Sequence, residues 1–226
     1  MSTSAQLDRF IHDGLPPPEQ QPTLRFDAPE LQFPPQINLV EELLDKAVQK
    51  GFADRPMLRS PRITLTYSDA RERVDRIARV LVEDFGLAPG NRVLLRGGNS
   101  IGLALAWLAV VKAGLIAVAT MPLLRAKELG EIIDKAQPAL AICDAKLQDE
   151  LLIAQRAQTA QSIHLAPSVG ADAPPYPGLQ RVLMFNAAND PQDLGVLCAS
   201  KSGDFTACHT AATDIALMAF TSGTTG

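Results

Sequence analysis

Six small residues that carry a hydroxyl group or no side chain, T-S-G-T-T-G, occupy positions 221–226. They follow the apolar stretch IALMAF (215–220), which is typical of a short buried strand. Glycine permits positive φ angles and close approach of a backbone to a ligand, and successive backbone N–H groups in such a turn can surround an anion. The hydroxyl groups add further donors. This hexad therefore predicts a polyphosphate-binding loop, made of Thr221, Ser222, Gly223, Thr224, Thr225 and Gly226.

The hexad differs from two common phosphate-binding sequence patterns. It lacks the spacing and the lysine of G-x-x-x-x-G-K-[ST], and no predicted strand is followed by G-x-G-x-x-G. The stretch RGGNS (96–100) also joins a strand to a helix, but a tight turn with a helix cap explains its residues. A flexible linker is the alternative interpretation of the hexad itself.

Composition indicates a soluble globular protein without a nucleic-acid partner. The 226 residues are 46% hydrophobic and 20% charged, and the formal net charge is −4. Binding to nucleic-acid phosphates needs a clustered surplus of lysine and arginine, which this chain lacks. Cys143, Cys198 and Cys208 show no metal-binding spacing, so we expect free thiols in the cytoplasm and no metal site in the chain.

One long apolar stretch, residues 101–124, raises the question of a membrane span. Lys112 lies at its middle, where a charge costs about 2.5–3.5 kcal/mol on insertion scales, and Gly114 and Pro122 interrupt it. We therefore expect a buried helix followed by a buried strand, with no membrane partner. Lys112 should extend to solvent at the C-terminal end of that helix, where the helix dipole favours a cation.

Two regions differ in proline content and in periodicity. Residues 1–36 contain seven prolines, so we expect an extended, Pro-rich N-terminal arm. Residues 37–226 alternate short apolar strands with helices of about three turns, which predicts βαβ units. The expected fold class is therefore α/β, with a mostly parallel sheet and helices on both faces.

The individual elements follow from capping residues and hydrophobic spacing. Strands are predicted at 62–67, 92–96, 116–120, 140–144, 162–165, 181–185 and 215–220. Helices are predicted from the cap Asn38 to Gly51, from the cap Ser68 to Gly86, and at 101–113, 126–137 and 146–158. A loop rich in proline and glycine is predicted at 166–178.

Three sequence elements, in order along the chain, resemble the adenylate-forming (AMP-binding) superfamily. FTSGTTG (220–226) resembles its phosphate-binding loop, and WLAVVKAGLIAVATMPLLRAKEL (107–129) resembles its K-A-G element. LTYSDA (65–70) resembles the early L-[TS]-Y-x-E-L element, although Asp and Ala replace the usual Glu and Leu. The resemblance covers residues 37–226 and is strongest toward benzoate- and 2-aminobenzoate-CoA ligases.

The resemblance implies a reaction in two steps, in which a carboxylate attacks the α-phosphate of Mg-ATP and coenzyme A then displaces AMP. It implies that the hexad surrounds the β- and γ-phosphates, and that ATP, Mg²⁺, coenzyme A and a small carboxylic acid are the partners. The Pro-Lys pair that normally follows this loop, the adenine-binding elements and the domain with the catalytic lysine are absent from the 226 residues. We therefore expect an N-terminal fragment, truncated at the phosphate loop, that has no catalytic residue and is inactive alone.

Other interpretations stay open at this point. The full-length enzyme could be another acyl-CoA synthetase or an adenylation domain, because most residues that line the family's carboxylate pocket follow the loop. A non-catalytic α/β binding module is a third interpretation, and a homodimer is open as well. Arg125 and Lys127 lie near a predicted helix start, where they could meet coenzyme A phosphates, although we favour a solvated helix face.

Overall fold

The structure of this protein is a computed structural model, in which residues 4–162, 176–187 and 190–220 are described. The hexad lies outside these residues, as does most of the loop predicted at 166–178. Of the strand predicted at 162–165, residue 162 ends a helix instead, and the other three residues also lie outside the described part.

The described strands and helices alternate through most of the chain. The strands are β1 (Pro56–Arg59), β2 (Thr64–Thr66), β3 (Arg92–Arg96), β4 (Ile116–Thr120), β5 (Leu140–Asp144), β6 (Val182–Phe185) and β7 (Leu217–Ala219). The α-helices are α1 (Phe10–Asp13), α2 (Tyr67–Arg79), α3 (Ile101–Lys112), α4 (Ala126–Ala136), α5 (Gln148–Ser162) and α6 (Leu194–Ala199). Short 3₁₀ turns occur at Pro18–Gln20, Pro29–Leu31 and Ala145–Leu147, and π-helical turns at Glu41–Asp45, Val48–Phe52 and Val80–Asp84.

Five of the strands form one parallel sheet in the order β6-β5-β3-β4-β7. Every neighbouring pair in it is parallel, with Val93 opposite both Ala117 and Leu140. Parallel pairing requires crossover connections, which the helices between these strands supply. The prediction of a mostly parallel α/β sheet is confirmed, and β3, β4 and β5 have the bounds expected from their apolar runs.

The strand predicted at 62–67 does not belong to that sheet. Its central part is β2, which pairs antiparallel with β1 in a separate two-stranded ribbon. Only residues 60–63 connect the two strands, and Ser60 N donates to Ile63 O at 2.9 Å across this turn. Such a connection is long enough for a hairpin and far too short for a parallel crossover.

Helices cover both faces of the parallel sheet, as expected. Leu95 of β3 belongs to a cluster with residues of α2 and α3, whereas Leu94 belongs to a cluster with residues of α4 and α5. Successive strand residues point to opposite faces, so these neighbouring leucines serve two separate clusters. Both side chains are buried, which is why strands of this kind read as continuous apolar runs.

Side-chain caps start the first two long helical segments. Asn38 Oδ1 accepts from the backbone N–H of Glu41 at 3.3 Å and from that of the preceding residue at 3.0 Å, which confirms its predicted role. The predicted cap Ser68 is wrong, because Thr66 caps α2 by accepting from Asp69 N at 3.1 Å. Asp69 accepts from Thr66 N in return, at 2.9 Å, and this reciprocal pair sets the earlier start of the helix.

Lys112 is buried, so its predicted extension to solvent is wrong. Its side chain is 1% exposed, and its ammonium group lies 2.8 Å from Asp45 Oδ1 and also bonds Asp75 Oδ1. Helix α3 is apolar almost all round, so no polar face leads the lysine to solvent. Burial raises the pKa of Asp75 to about 6, although the ammonium group opposes that rise. We call these three residues the buried triad.

Residues 4–36 contain helix α1 and two 3₁₀ turns, so this region is not continuously extended. Beyond residue 14 its side chains are largely exposed, including those of Leu24 and Phe26. The backbone N–H groups of Ala5, Leu7 and Asp8, in contrast, donate to Asp214 or Pro89 of the α/β body. The domain boundary at residue 36 stays a prediction.

Candidate functional site

The carboxyl ends of the five parallel strands lie at one edge of the sheet, the carboxyl edge, beyond which ligands bind in open α/β folds. Ala219 of β7 lies opposite Ala119 of β4, so β7 reaches this edge next to β4. The strand predicted at 215–220 is therefore present as β7, and it leads the chain to the carboxyl edge directly before the hexad. The hexad residues themselves lie outside the described part of the chain.

Arg96, the last residue of β3, organises the loop that follows β4 at this edge. Its side chain is 1% exposed, and its guanidinium group donates to the carbonyl oxygens of Met121 and Pro122 (both 3.2 Å) and of Leu124 (2.9 Å). Its Nε donates to Leu147 O at 3.0 Å. Burial lowers the pKa of Arg96, but an arginine remains charged far above neutral pH. A buried cation thus joins the loop after β4, through three carbonyl groups, to Leu147 in the turn after β5.

Replacing Arg96 by lysine should lower the free energy of unfolding by about 1–3 kcal/mol, because one ammonium group cannot reach four carbonyl groups spread around a planar fork. The measurement is equilibrium unfolding in urea. Arg125→Lys is the matched control, since the Arg125 side chain is 77% exposed and should tolerate the change within about 0.5 kcal/mol. Equal stability of Arg96→Lys and the control would show that the carbonyl contacts do not hold the loop.

Arg125 and its surroundings have the features of a solvated helix start. Arg125 Nη1 donates to Glu150 Oε1 at 2.9 Å in an exposed pair, and Lys127 is also exposed. Glu150 Oε2 accepts from Ala126 N at 2.8 Å, in the first turn of α4. This backbone contact and the arginine lower the pKa of Glu150. The charges here are used to cap α4, in keeping with the solvated-face interpretation.

The turn RGGNS between β3 and α3 serves packing and capping. Ser100 Oγ accepts from Leu103 N at 3.2 Å and so caps α3. A Cβ atom added to Gly97 or Gly102 would lie 3.1 Å or 2.9 Å from the ring of Phe185 in β6. These glycines therefore make room for an aromatic side chain. Sequence reasoning treated the stretch as a turn, but it missed that its first residue, the buried arginine, holds the neighbouring loop.

The cysteines do not supply a nucleophile. All three are free thiols, and burial raises the pKa of Cys143 and Cys198 to about 12 and also raises that of Cys208. Cysteine reacts as the thiolate, so a raised pKa makes these thiols poor nucleophiles near neutral pH. Cys208 lies instead against Gly114, whose added Cβ would be 2.6 Å from the sulfur.

Two further findings hold for the part of the chain that the structure describes. No group of three or more His, Cys, Asp or Glu side chains there could hold a metal ion. No helix among the same residues has the length and apolar character needed to cross a membrane. The long apolar stretch at 101–124 is divided between α3 and β4, as expected.

Comparison with known families gives the decisive observation. The profile of the family described as AMP-binding enzyme matches residues 44–226, which include the whole parallel sheet and the hexad. The chain belongs to the AMP-binding enzyme family. The resemblance inferred from the hexad, the K-A-G element and the LTYSDA element is thereby confirmed.

Relatives within the AMP-binding family include ligases of aromatic acids. Benzoate–CoA ligase from Thauera aromatica is 23% identical over 198 residues, which cover 88% of this chain and 34% of that protein. The salicyl-AMP ligase / salicyl-S-ArCP synthetase of Mycobacterium tuberculosis is 42% identical over 66 residues, which cover 29% of this chain and 12% of that protein. The chain thus spans about a third or less of the length of these relatives.

Solved structures share the fold. The anthranilate CoA ligase AuaEII in complex with anthranoyl-AMP superposes with a TM-score of 0.70 at 19% identity, covering 86% of this chain and 34% of that chain. ATP-bound MatB from Rhodopseudomonas palustris superposes with a TM-score of 0.61 at 26% identity, covering 84% of this chain and 33% of that one. This member of the AMP-binding family therefore has the same fold as the matching part of each structure, which is about a third of that chain.

Proposed function

We propose that this chain is the N-terminal, phosphate-binding portion of an ATP-dependent aryl-CoA ligase. The observation that carries the proposal is the position of β7, which reaches the carboxyl edge directly before the hexad in a chain of the AMP-binding family. Ligands of open α/β sheets bind beyond this edge, and a loop of glycines and hydroxyls suits phosphate oxygens. The residues proposed to contact the β- and γ-phosphates of ATP are Thr221, Ser222, Gly223, Thr224, Thr225 and Gly226.

In the proposed reaction a carboxylate oxygen attacks the α-phosphate of ATP, and the bond to pyrophosphate breaks. The coenzyme A thiol then attacks the acyl carbon, loses its proton and releases AMP. Magnesium enters with ATP as part of the substrate and helps to neutralise charge on the transferring phosphoryl group. The hexad would contribute backbone N–H and hydroxyl donors to the same charge, which is a large effect in a water-poor site. We place the enzyme in the reducing cytoplasm, in keeping with its three free thiols.

We propose benzoate or 2-aminobenzoate as the acid. The basis is the run VVKAGLIAVATMPLLRAKELGEIIDKAQ, which resembles the corresponding part of ligases for these acids. This run contains the last turn of α3, all of β4, the loop that Arg96 holds, and α4, so it shapes the carboxyl edge next to β7. Two similar proteins, benzoate–CoA ligase and the anthranilate CoA ligase AuaEII, are named for aromatic acids, which supports an aromatic acid as the substrate proposed for this chain.

A carrier-protein ligase is the second candidate. The salicyl-AMP ligase / salicyl-S-ArCP synthetase is 42% identical over its matched segment, and its name indicates transfer to an aryl carrier protein. The first half-reaction is the same in both candidates, and only the thiol acceptor differs. Thioester formation with free coenzyme A separates the two, because a carrier-protein ligase would leave the acyl-adenylate in place.

The test of the proposed function is ATP–pyrophosphate exchange by the full-length protein that contains this chain. We expect exchange that depends on benzoate or 2-aminobenzoate, and thioester formation when coenzyme A is added. An aliphatic acid such as octanoate is the control for the aromatic preference. Absence of exchange with any of these acids would contradict the ligase proposal, and exchange with octanoate alone would contradict the aromatic acid.

Residues 1–226 alone should show no exchange above background. Most of the contacts that hold a nucleotide and an acid in this family would have to come from outside this third of the protein, so positioning of the reactants is lost. ATP affinity of residues 1–226 should be weak for the same reason, as measured by isothermal titration. Turnover by residues 1–226, or micromolar ATP binding, would contradict this prediction.

A further inference from the structure

Residues 5 and 6 bind two residues just before β7, Asp214 through its side chain and Ile215 through its backbone. Ala5 N donates to Asp214 Oδ2 at 3.0 Å, and Gln6 Nε2 donates to Ile215 O at 2.7 Å. Ile215 N in turn lies 3.4 Å from Gln6 Oε1. The Gln6 amide thus contacts both the N–H and the C=O of one residue, as a neighbouring strand would. Ile215 lies two positions before the start of β7 and six positions before the hexad.

Residues 7 and 8 lie against Pro89, Gly90, Asn91 and Arg92 of the α/β body. The backbone N–H groups of Leu7 and Asp8 both donate to Pro89 O, at 2.9 and 3.1 Å. The Asp8 carboxylate accepts from Asn91 Nδ2 at 2.9 Å and from the Arg92 guanidinium group. Gly90, which follows Pro89 and Ala88 in the chain, has a φ of +90°. A Cβ atom added to it would lie 2.4 Å from Asp8 O. The body therefore leaves room for the backbone of this segment.

Gln6 is buried, and both the nitrogen and the oxygen of its side-chain amide have hydrogen-bond partners. Its side chain is 5% exposed. Besides its contacts with Ile215, its Oε1 lies 2.8 Å from Nε2 of His12 in α1. A buried amide is costly unless its hydrogen bonds are made, so removal of this side chain leaves the Ile215 carbonyl without its donor.

Asp214 provides a second anchor at the same point. Its Oδ2 accepts from Ala5 N and also from Ala211 N at 2.9 Å, while Asp214 N donates to Ala211 O at 2.9 Å. The turn that enters β7 is therefore closed by the same carboxylate that binds the N-terminal segment. β7 itself has three residues and pairs with β4 within the described part of the chain, so its own ladder is short.

We propose that residues 5–8 are a positioning clamp for β7, with Gln6 as its central positioning residue, and that the clamp thereby sets the location of the phosphate-binding hexad. The consequence for ATP rests on the function proposed above, whereas the consequence for β7 does not. A short strand held by a few bonds opens readily, and an anchor at its entry lowers the fraction of time that it is open. Loss of the clamp should therefore disturb the loop that β7 carries.

The test compares Gln6→Ala with Gln32→Ala in the full-length protein. Gln32 is an exposed glutamine in the same N-terminal region, so it controls for the loss of a glutamine side chain. Hydrogen exchange of a peptide covering residues 213–220 should become about tenfold faster in Gln6→Ala, while peptides of β5 and the control variant stay unchanged. KM for ATP should rise about three- to tenfold, with KM for the carboxylate unchanged.

The outcomes separate this inference from the proposed function. An unchanged rate of hydrogen exchange at residues 213–220 in Gln6→Ala would contradict the proposal that residues 5–8 clamp β7. Faster exchange with an unchanged KM for ATP would overturn its link to the hexad. If the wild-type protein does not use ATP, the proposed function fails. The hydrogen-exchange result alone then decides whether residues 5–8 position β7. Gln6→Met, which keeps the length of the side chain and removes the amide, gives the same readouts if the alanine variant does not fold.

Discussion

Replacing Lys112 by methionine should lower the free energy of unfolding by about 3–5 kcal/mol at pH 8, because the change leaves buried carboxylates without their cation. Asp75 has only 4% of its side chain exposed, and Asp45 has 18%. Methionine keeps the length and the apolar stem of lysine, so packing against α2 is retained and the charge is the main change. The measurement is equilibrium unfolding in urea, followed by circular dichroism.

The loss in Lys112→Met should be smaller at pH 5 than at pH 8. Burial raises the pKa of Asp75 to about 6, and the ammonium group is a contact that lowers it. The unfolded carboxyl group titrates near about 3.9, so between these values the folded state holds a proton that the unfolded state has released. Stability linked to Asp75 therefore rises as the pH falls through 6. At pH 5 the carboxyl group of the variant is neutral, and its burial costs less.

Lys127→Met is the matched control for this prediction. Lys127 is exposed on α4, and its replacement should change the free energy of unfolding by no more than about 0.5 kcal/mol. A loss in Lys112→Met as small as that of the control, or a loss that grows as the pH falls, would contradict the assignment of the buried triad as a linked charge cluster.

The buried triad shows why local sequence patterns did not predict the burial of Lys112. Lys112 lies at the C-terminal end of an apolar helix, where the local rule places a cation at the surface. Its partners are 67 and 37 residues away in the chain, on other helical segments. Local patterns carry no information on which distant carboxylates will face a residue once the helices pack. The prediction of a buried helix was right, and the environment of its one charge was wrong.

Elements that local physics determines were predicted closely. β3 and β4 have apolar central residues that need two covered faces, and the bounds of both strands match the predicted ones. The missed strand β1 has the sequence PMLR, which has no alternation and begins with proline, so only its pairing with β2 makes it a strand. The start of α2 differs because the choice between Thr66 and Ser68 depended on a reciprocal contact with Asp69.

Part of the candidate site could likewise be predicted from the sequence, and part of it could not. The hexad and the strand before it are visible in the sequence, because their chemistry lies in consecutive residues. The Arg96 contacts join residues of three segments, and the contacts of Gln6 with Ile215 join residues 209 positions apart. An arginine at the carboxyl end of a buried strand was an available signal for the first. No sequence signal pointed to the second.

The second large effect concerns the hexad. Thr224→Val in the full-length protein should lower kcat/KM for ATP in the exchange assay by about 10²–10³, which is the usual cost of losing one donor to a developing negative charge. Valine keeps the shape of threonine and removes only the hydroxyl group. Thr206→Val is the matched control, since Thr206 is exposed in a loop, and its kcat/KM should stay within about twofold of wild type.

The pattern of kinetic constants in Thr224→Val distinguishes a phosphate-binding loop from a linker. A donor that acts on charge developed during phosphoryl transfer lowers kcat as well as kcat/KM, whereas a residue that only binds ATP raises KM and leaves kcat unchanged. A flexible linker changes neither constant. Unfolding midpoints of both variants are measured alongside, so that a loss of fold is not taken for a loss of catalysis. Wild-type kinetics in Thr224→Val, together with wild-type kinetics in Ser222→Ala, would remove the hexad from the phosphate site.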